Sequence, residues 1–242
     1  MDADYYEPYA IAEERHWWFA ARREIIRATL RNLPLPQNAS ILEVGCASGG
    51  NFEMLSSFGR LKACEYEASV LEMARRRGIA PVEPCALPEQ LPYGDEAFDL
   101  VCLFDVIEHI REEAASLEHL RRRTKSGGFI FITVPAFQWL WSAHDEINHH
   151  VRRYTREELE KAVANAGFKT VHASYFNLLL MPLILTARFV AERMGSDPAD
   201  QLKPPPAPIN RLLQTVFGFE RHWVARHSLP VGVSLLLVAR AR

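Results

Sequence analysis

Three groups of residues in this chain have types and spacing that suit chemistry. In the first, Gly45, Gly49 and Gly50 follow the apolar run of Ile41, Leu42 and Val44, and Glu65 stands twenty residues past Gly45. Glycines in such a turn let the backbone approach a ligand closely. An acid at that spacing ends the second strand of an α/β unit, where it can accept hydrogen bonds from both ribose hydroxyls of a nucleoside. The same residues would also serve as a plain strand-to-helix turn and a solvated strand-end glutamate. Tyr66, the next residue, is placed to cover an adenine face.

The second group is the aromatic segment Trp17-Trp18-Phe19 with Arg22 and Arg23 behind it. Aromatic faces attract positive charge, so Trp18 would lie over a cationic ligand while Arg22 pairs with that ligand's carboxylate. Three adjacent aromatics cannot share one helix face, and the alternative is that they cap the sheet edge as core. The third group is the stretch from Trp139 to His150. A neutral imidazole can take a proton from an acceptor hydroxyl, with His144 as first candidate and His109 as second. Trp139 and Trp141 would line the acceptor, and His149, Arg152 and Tyr154 would hold the loop or bind an anionic acceptor. The mixture of His144, Asp145, Glu146, His149 and His150 has metal-ligand types but no HExxH spacing, so no metal site is expected.

The elements that must position these groups alternate strand and helix. A helix through Glu13–Arg23 ends before Pro34 and Pro36. A strand through Ile41–Val44 is followed by a helix from Phe52 to Phe58, a strand from Leu61 to Tyr66, and an amphipathic helix over 68–77 closed by Gly78. Strands then follow at Ile79–Val82, Phe98–Phe104, Phe129–Val134 and Phe168–Tyr175, and the last spans Val231–Ala239. Thr155 and Glu158 form a capping box for a helix that ends at Gly167. The chain of 242 residues, 48% of them hydrophobic, is large enough for one elaborated domain with a substantial core. A net charge of −2 offers no general attraction to nucleic acid. Four separated cysteines without a CxxC pair, and a start lacking the basic and apolar parts of a secretory leader, point to a reduced, cytoplasmic compartment.

Taken together, Leu42–Gly49, the acid Glu65, the strand Phe98-Asp99-Leu100-Val101 and the turn Ser126-Gly127-Gly128 resemble the class I S-adenosylmethionine-dependent methyltransferases. Asp105–Ile110 is similar to a segment of the quinone-biosynthesis-like branch. The resemblance implies a Rossmann-like, seven-stranded, mostly parallel α/β sheet with an antiparallel last strand and helices on both faces. It implies that S-adenosylmethionine sits at the carboxyl ends of the first, second and fourth strands, against Glu43, Gly45, Cys46, Ala47 and Gly49. Glu65, Tyr66, Leu87, Phe104 and Asp105 complete that set. Two departures stand out. Ala47 replaces the usual middle glycine, which a methyl group tolerates at negative φ, and Leu87-Pro88 replaces an adenine-binding acid and amide, leaving the amides of Glu89 or Gln90.

The implied function is methyl transfer to a small or lipid-linked acceptor at oxygen. A nicotinamide-dependent oxidoreductase is the alternative, because Gly45-x-Ala47-x-x-Gly50 approximates a dinucleotide fingerprint; a catalytically silent nucleoside-binding module is another. The single domain divides into a helical lid (1–36), a cofactor-binding core (37–175), a helical insertion (176–230) and a final strand (231–242). Within the insertion, the apolar run 178–185 is well short of the roughly 18–20 residues that span a bilayer. After the proline-rich 203–208, Leu212, Leu213, Val216, Phe217, Trp223 and Val224 recur at helical spacing beside arginines. Such faces suit a membrane surface at its inner side, a homodimer interface, or a cover on the protein's own core.

Overall fold

Six consecutive buried residues, Ala39–Val44, form β1. Burial on both faces puts this strand in the middle of a sheet covered from both sides. The computed structural model describes residues 6–195 and 203–242; residues 1–5 of the lead-in and 196–202 of the insertion lie outside the described residues. Around β1 stand β2 (Gly59–Glu65), β3 (Val82–Pro84), β4 (Phe98–Phe104), β5 (Thr124–Pro135), β6 (Phe168–Phe176) and β7 (Ser234–Ala241), in the order β3-β2-β1-β4-β5-β7-β6. The pairs β1–β2, β1–β4, β2–β3 and β4–β5 are parallel. β7 runs antiparallel to both β5 and β6. The order reverses at β1, which opens a crevice beyond the carboxyl ends of β1 and β4.

Strand pleating sends alternate residues to two cores. Ile41, Leu100, Cys102 and Phe131 pack with Ile25, Ile26 and Leu30 of α2 (Trp17–Leu30). Leu42, Val101, Leu103 and Ile132 pack with Leu117 and Leu120 of α5 (Glu113–Arg122) and with Leu159 and Val163 of α7 (Arg156–Asn165). The expected capping box opens α7: Thr155 Oγ1 accepts from the Glu158 N–H at 3.3 Å, and Glu158 Oε2 accepts from the Thr155 N–H at 2.8 Å. Helices α3 (Phe52–Ser56) and α4 (Ala68–Arg76) link β1 to β2 and β2 to β3.

Several boundaries differ from the sequence expectation. The N-terminal segment forms two helices, α1 (Tyr6–Arg15) and α2, because the His16 backbone is extended and its Nδ1 accepts from the Trp18 N–H at 3.3 Å as an N-cap. The third strand begins at Val82 rather than Ile79, since Gly78, at φ 64, and the following residues form a turn that ends where the Pro81 carbonyl accepts from Ala63 N–H at 2.9 Å. The last strand begins at Ser234 rather than Val231. Its approach passes so close to β6 that a Cβ on Gly232 would lie 2.3 Å from the Phe176 oxygen.

The insertion forms α8 (Met181–Met194), α9 (Ala207–Phe219) and α10 (Arg221–Val224). Among the described residues no helix is long and apolar enough to cross a membrane. α9 lies on α2: Asn210 accepts from the Trp17 N–H at 2.9 Å and donates to the Arg15 carbonyl at 2.8 Å, and Arg221 pairs with Glu24 at 2.8 Å. Phe217, fully buried, stacks on Phe176 at 6.1 Å and meets Trp17 edge-on at 5.9 Å. Phe217→Ala is expected to destabilise the protein by about 3–5 kcal/mol through lost burial and a cavity. A denaturant midpoint equal to the parent's would show that α9 is not part of the cooperative core.

Candidate active site

The chain leaves β1 at Gly45, whose φ is 68; a Cβ there would sit 2.6 Å from Val106 Cγ2, so only glycine lets this turn close against the segment after β4. Ala47 is also left-handed, at φ 47, not at the negative φ the sequence reading required for its methyl group. Its N–H donates to Glu65 Oε2 at 2.7 Å, an interaction that offsets the strain. Glu65 Oε1 accepts from the N–H groups of Tyr66 and Glu67 at 2.8 and 3.1 Å. Thus Glu65, at the end of β2, is tied across the crevice to the glycine turn. Burial raises its pKa, and these three N–H groups work against the rise.

Glu43 is buried in β1. Its Oε1 accepts from Asn51 Nδ2 at 2.7 Å while Oε2 has no hydrogen-bond partner. Burial pushes its pKa from 4.5 to about 8, and the Asn51 hydrogen bond opposes that shift. Cys46 is buried and its thiol is pushed up by the same desolvation. Gly49, at φ 81, has Phe52 and Arg77 against the space a Cβ would take.

The N-terminal helices close over this turn. Glu13 of α1 is buried and accepts from the Ser48 N–H at 3.1 Å and from Ser48 Oγ at 2.5 Å. Tyr9, whose phenol is pushed up by burial and by Glu13, lies edge-on to Phe19 at 5.3 Å. Arg22 is buried, ion-paired to Asp105, and stacked over Trp18 at 4.7 Å. In this arrangement the cation over Trp18 is Arg22 itself, and the carboxylate facing Arg22 is Asp105. Asp105 leaves β4 at φ 59, and Phe104 just before it is buried. The contact between Glu13 and Ser48 had no signal in the sequence, because the partners lie 35 positions apart.

Tyr66 is 76% exposed, free to cover a flat ligand. Leu87 is half-buried beside Pro88; the Gln90 N–H donates to the Ala86 carbonyl at 2.7 Å, so of the two adenine-facing amides considered, that of Glu89 remains.

Across the crevice, the loop after β5 is held by a buried clasp. Asp145, in the short helix α6 (Ala143–Ile147), accepts from Arg153 Nε and Nη2, both at 2.7 Å, and contacts His150 Nδ1 at 2.8 Å. Burial opposes its ionisation, but His150 and Arg153 hold its carboxyl well below the usual range. His144 is half-buried, with its ring 6.4 Å from that of His150, and burial lowers its pKa to about 4, so it is neutral near pH 7. His109 is exposed in the 3-10 turn Ile107–His109, with its ring 4.6 Å from that of His150. The sequence candidates His109 and His144 therefore both neighbour His150.

The other candidates scatter. Trp139 is 65% exposed and stacks on Phe137 at 5.8 Å, while Trp141 is half-buried. His149 is exposed at φ 55. Tyr154 is buried and donates its hydroxyl to Glu113 at 2.5 Å, and Arg152 faces the same Glu113 at 3.6 Å. These last two brace α5 against the loop.

The profile of a family described as a methyltransferase domain matches residues 16–173. A Mycobacterium tuberculosis protein named as a probable S-adenosylmethionine-dependent methyltransferase is 25% identical over 159 residues, 64% of this chain and 57% of that protein. The malonyl-[acyl-carrier protein] O-methyltransferase of Enterobacter lignolyticus is 28% identical over 154 residues, 59% of this chain and 60% of the relative. The matches thus span only 57% and 60% of those relatives' lengths. In fold, the chain is similar to a Thermotoga maritima S-adenosylmethionine-dependent methyltransferase described as a possible histamine N-methyltransferase. The TM-score is 0.59 at 18% identity, covering 99% of this chain and 95% of that one.

The buried Glu43 carboxyl leads to a pH test. Between pH 4.5 and about 8 the unfolded chain releases a proton that the folded protein keeps, so this group lowers stability progressively as pH rises through that window. Glu43→Gln keeps the acceptor for Asn51 and lacks the ionisation. Its stability relative to the parent is expected to rise by a few kcal/mol from pH 5 to pH 8. A difference that stays constant in denaturant titrations across that range would show Glu43 ionised throughout.

Proposed function

The chain belongs to the methyltransferase-domain family, and from that membership and the crevice geometry we propose that it transfers a methyl group from S-adenosylmethionine to an oxygen of a small or lipid-linked acceptor. The observation that carries the proposal is the left-handed Gly45 turn, joined through the Ala47 N–H to the Glu65 carboxylate beyond the carboxyl ends of β1 and β2. The residues fit a nucleoside there. A side chain at Gly45 would close the cradle, and Glu65 is the acid that would meet the ribose hydroxyls. Three N–H groups already occupy three of its roughly four acceptor positions. Binding both hydroxyls therefore requires one of them, that of Ala47, to give way. Tyr66 covers the adenine face, Leu87 and the Glu89 amide meet its edge, and Cys46, Gly49 and Phe104 line the nucleoside. Trp18 and Arg22 sit over the sulfonium and the carboxylate, with Asp105 as Arg22's resting partner.

The sulfonium supplies an already activated methyl group, so no enzyme nucleophile is needed. What the chain must do is align the acceptor in line with the breaking bond and keep water out. His144, neutral near pH 7, accepts the acceptor's proton once the acceptor hydroxyl replaces the Asn148 Nδ2 that faces its Nε2 at 3.2 Å. Trp139, Trp141, His149 and Arg152 flank the acceptor's path, and Tyr154 fixes the loop that carries them. An apolar or carrier-borne acceptor is favoured by the cluster of Leu140, Met181 and Val233, packed with Phe137, Ile184 and Leu185, which joins α8 to the loop after β5. The name of the Enterobacter relative, an O-methyltransferase of a carrier-bound malonyl group, is consistent with this. Family membership decides against the nicotinamide alternative, and turnover would separate an enzyme from a silent binding module.

Calorimetric titration of Glu65→Ala with S-adenosylmethionine, at a temperature below its melting transition, is expected to show binding weakened by about 1.5–3 kcal/mol, with some loss of melting temperature because the Ala47, Tyr66 and Glu67 N–H groups lose their acceptor. Parent-like affinity would remove the ribose assignment. His144→Ala is expected to reduce turnover by roughly 10²–10⁴-fold while leaving cofactor affinity unchanged, as measured by release of S-adenosylhomocysteine across a panel of hydroxylated acceptors. Unchanged turnover would show that the acceptor loses its proton without His144.

A further inference from the structure

Glu108 is fully buried, yet neither of its carboxylate oxygens has a hydrogen-bond partner. A buried carboxyl with both oxygens unsatisfied is costly, and native folds rarely tolerate one without a cation or water to meet it. Two imidazoles stand close by. Glu108, His109 and His150 each offer one ligand atom, and the three atoms lie within 4.8 Å of one another. His109 follows Glu108 in the same 3-10 turn, while His150 arrives from the loop after β5 and is held beside that turn because Val151 N–H donates to the Glu108 carbonyl at 2.8 Å. Asp145 engages His150 Nδ1 at 2.8 Å, which leaves Nε2 as the nitrogen available for coordination and fixes the ring's orientation. A carboxylate behind a ligating histidine is the usual outer support of a metal site.

We propose that Glu108, His109 and His150 bind one divalent first-row transition-metal ion of the zinc or iron class. Two imidazoles and a carboxylate suit such ions better than magnesium or calcium, which prefer oxygen alone. Ligands at about 2.0–2.2 Å from a shared four-coordinate ion stand roughly 3.3–3.6 Å apart. Closure from the present spread of up to 4.8 Å therefore draws the ligand atoms together by up to about 1.5 Å, through rotation of the Glu108 and His109 side chains, the latter's ring also bonding the backbone of Asn148 and His149. The charge neutralises Glu108, and the sequence reading missed the site because two of its ligands follow β4 and the third follows β5.

Three protein ligands leave a position open on a four-coordinate ion. The three ligands come from the turn after β4 and the loop after β5, beside the region where the proposed acceptor would lie. A hydroxyl bound at the open position would ionise more readily, its proton passing to His144. This role rests on the methyl-transfer reading; the binding of the ion does not.

The test uses the untagged full chain after dialysis against a chelator and then metal-free buffer. Calorimetry with Zn²⁺, and absorbance with Co²⁺, are expected to show one saturable equivalent and the visible bands of a nitrogen–oxygen site. His109→Ala, at an exposed position that should not disturb folding, is expected to weaken binding at least tenfold, and Glu108→Gln likewise. Absence of a saturable equivalent in the parent, or parent-like affinity in His109→Ala, would overturn the proposal. S-adenosylmethionine binding measured in chelator separates the two readings: cofactor binding without metal binding overturns only the ion, and metal binding without cofactor binding overturns only the methyl-transfer reading.

Discussion

Carboxyl groups crowd the carboxyl ends of β1, β2 and β4. Those of Glu13, Glu43, Glu65, Asp105 and Glu108 act on one another or on the guanidinium of Arg22 buried among them. One guanidinium cannot neutralise so many acids in a medium of low polarity. The fold disperses the remaining charge by different means. Backbone N–H groups converge on Glu65, Ser48 holds Glu13, and desolvation keeps Glu43 protonated at neutral pH. An acid-rich crevice of this kind favours cationic occupants, which is the electrostatic property a sulfonium donor would require.

The central strands were legible because burial on both faces leaves an unbroken apolar run, and Glu65 was legible because the distance from a glycine turn to the end of the next strand is set by the βα unit itself. The third strand was less so: Ile79, Ala80 and Pro81 look extended, yet Gly78 at φ 64 turns the chain, and pairing starts only at Val82. The break between α1 and α2 rests on a histidine acting as N-cap, a residue that ordinary capping preferences do not single out. Ala47 misled for the opposite reason. Its left-handed backbone is stabilised by a carboxylate 18 residues away, and no local rule reports on such a partner.

Site residues divided along the same line. Local spacing singles out Gly45, Glu65 and the histidine-bearing loop as candidates, but the contacts of Glu13 with Ser48 and of Asp145 with Arg153 depend on how separate elements dock. In sequence, Tyr154 and Arg152 suit either holding the loop or binding an anionic acceptor. Docking of α5 presents Glu113 to both of them, a contact between separate elements that the sequence does not signal.

The two sides of the crevice are not independent, and Asp105 is the point at which they meet. The insertion fastens α2 through Asn210 and Arg221, α2 carries Arg22, and Arg22 reaches Asp105. Asp105 sits at a positive φ that few residues other than glycine accept, and the turn it makes sends the chain directly into Glu108 and His109. An occupant that drew Arg22 away from Asp105 would leave that acid facing Glu108 without its counter-charge. The structure thus supplies a short physical route, a single ion pair and one strained residue, by which occupancy beneath the N-terminal helices alters the electrostatics on the side of the crevice where the histidines gather.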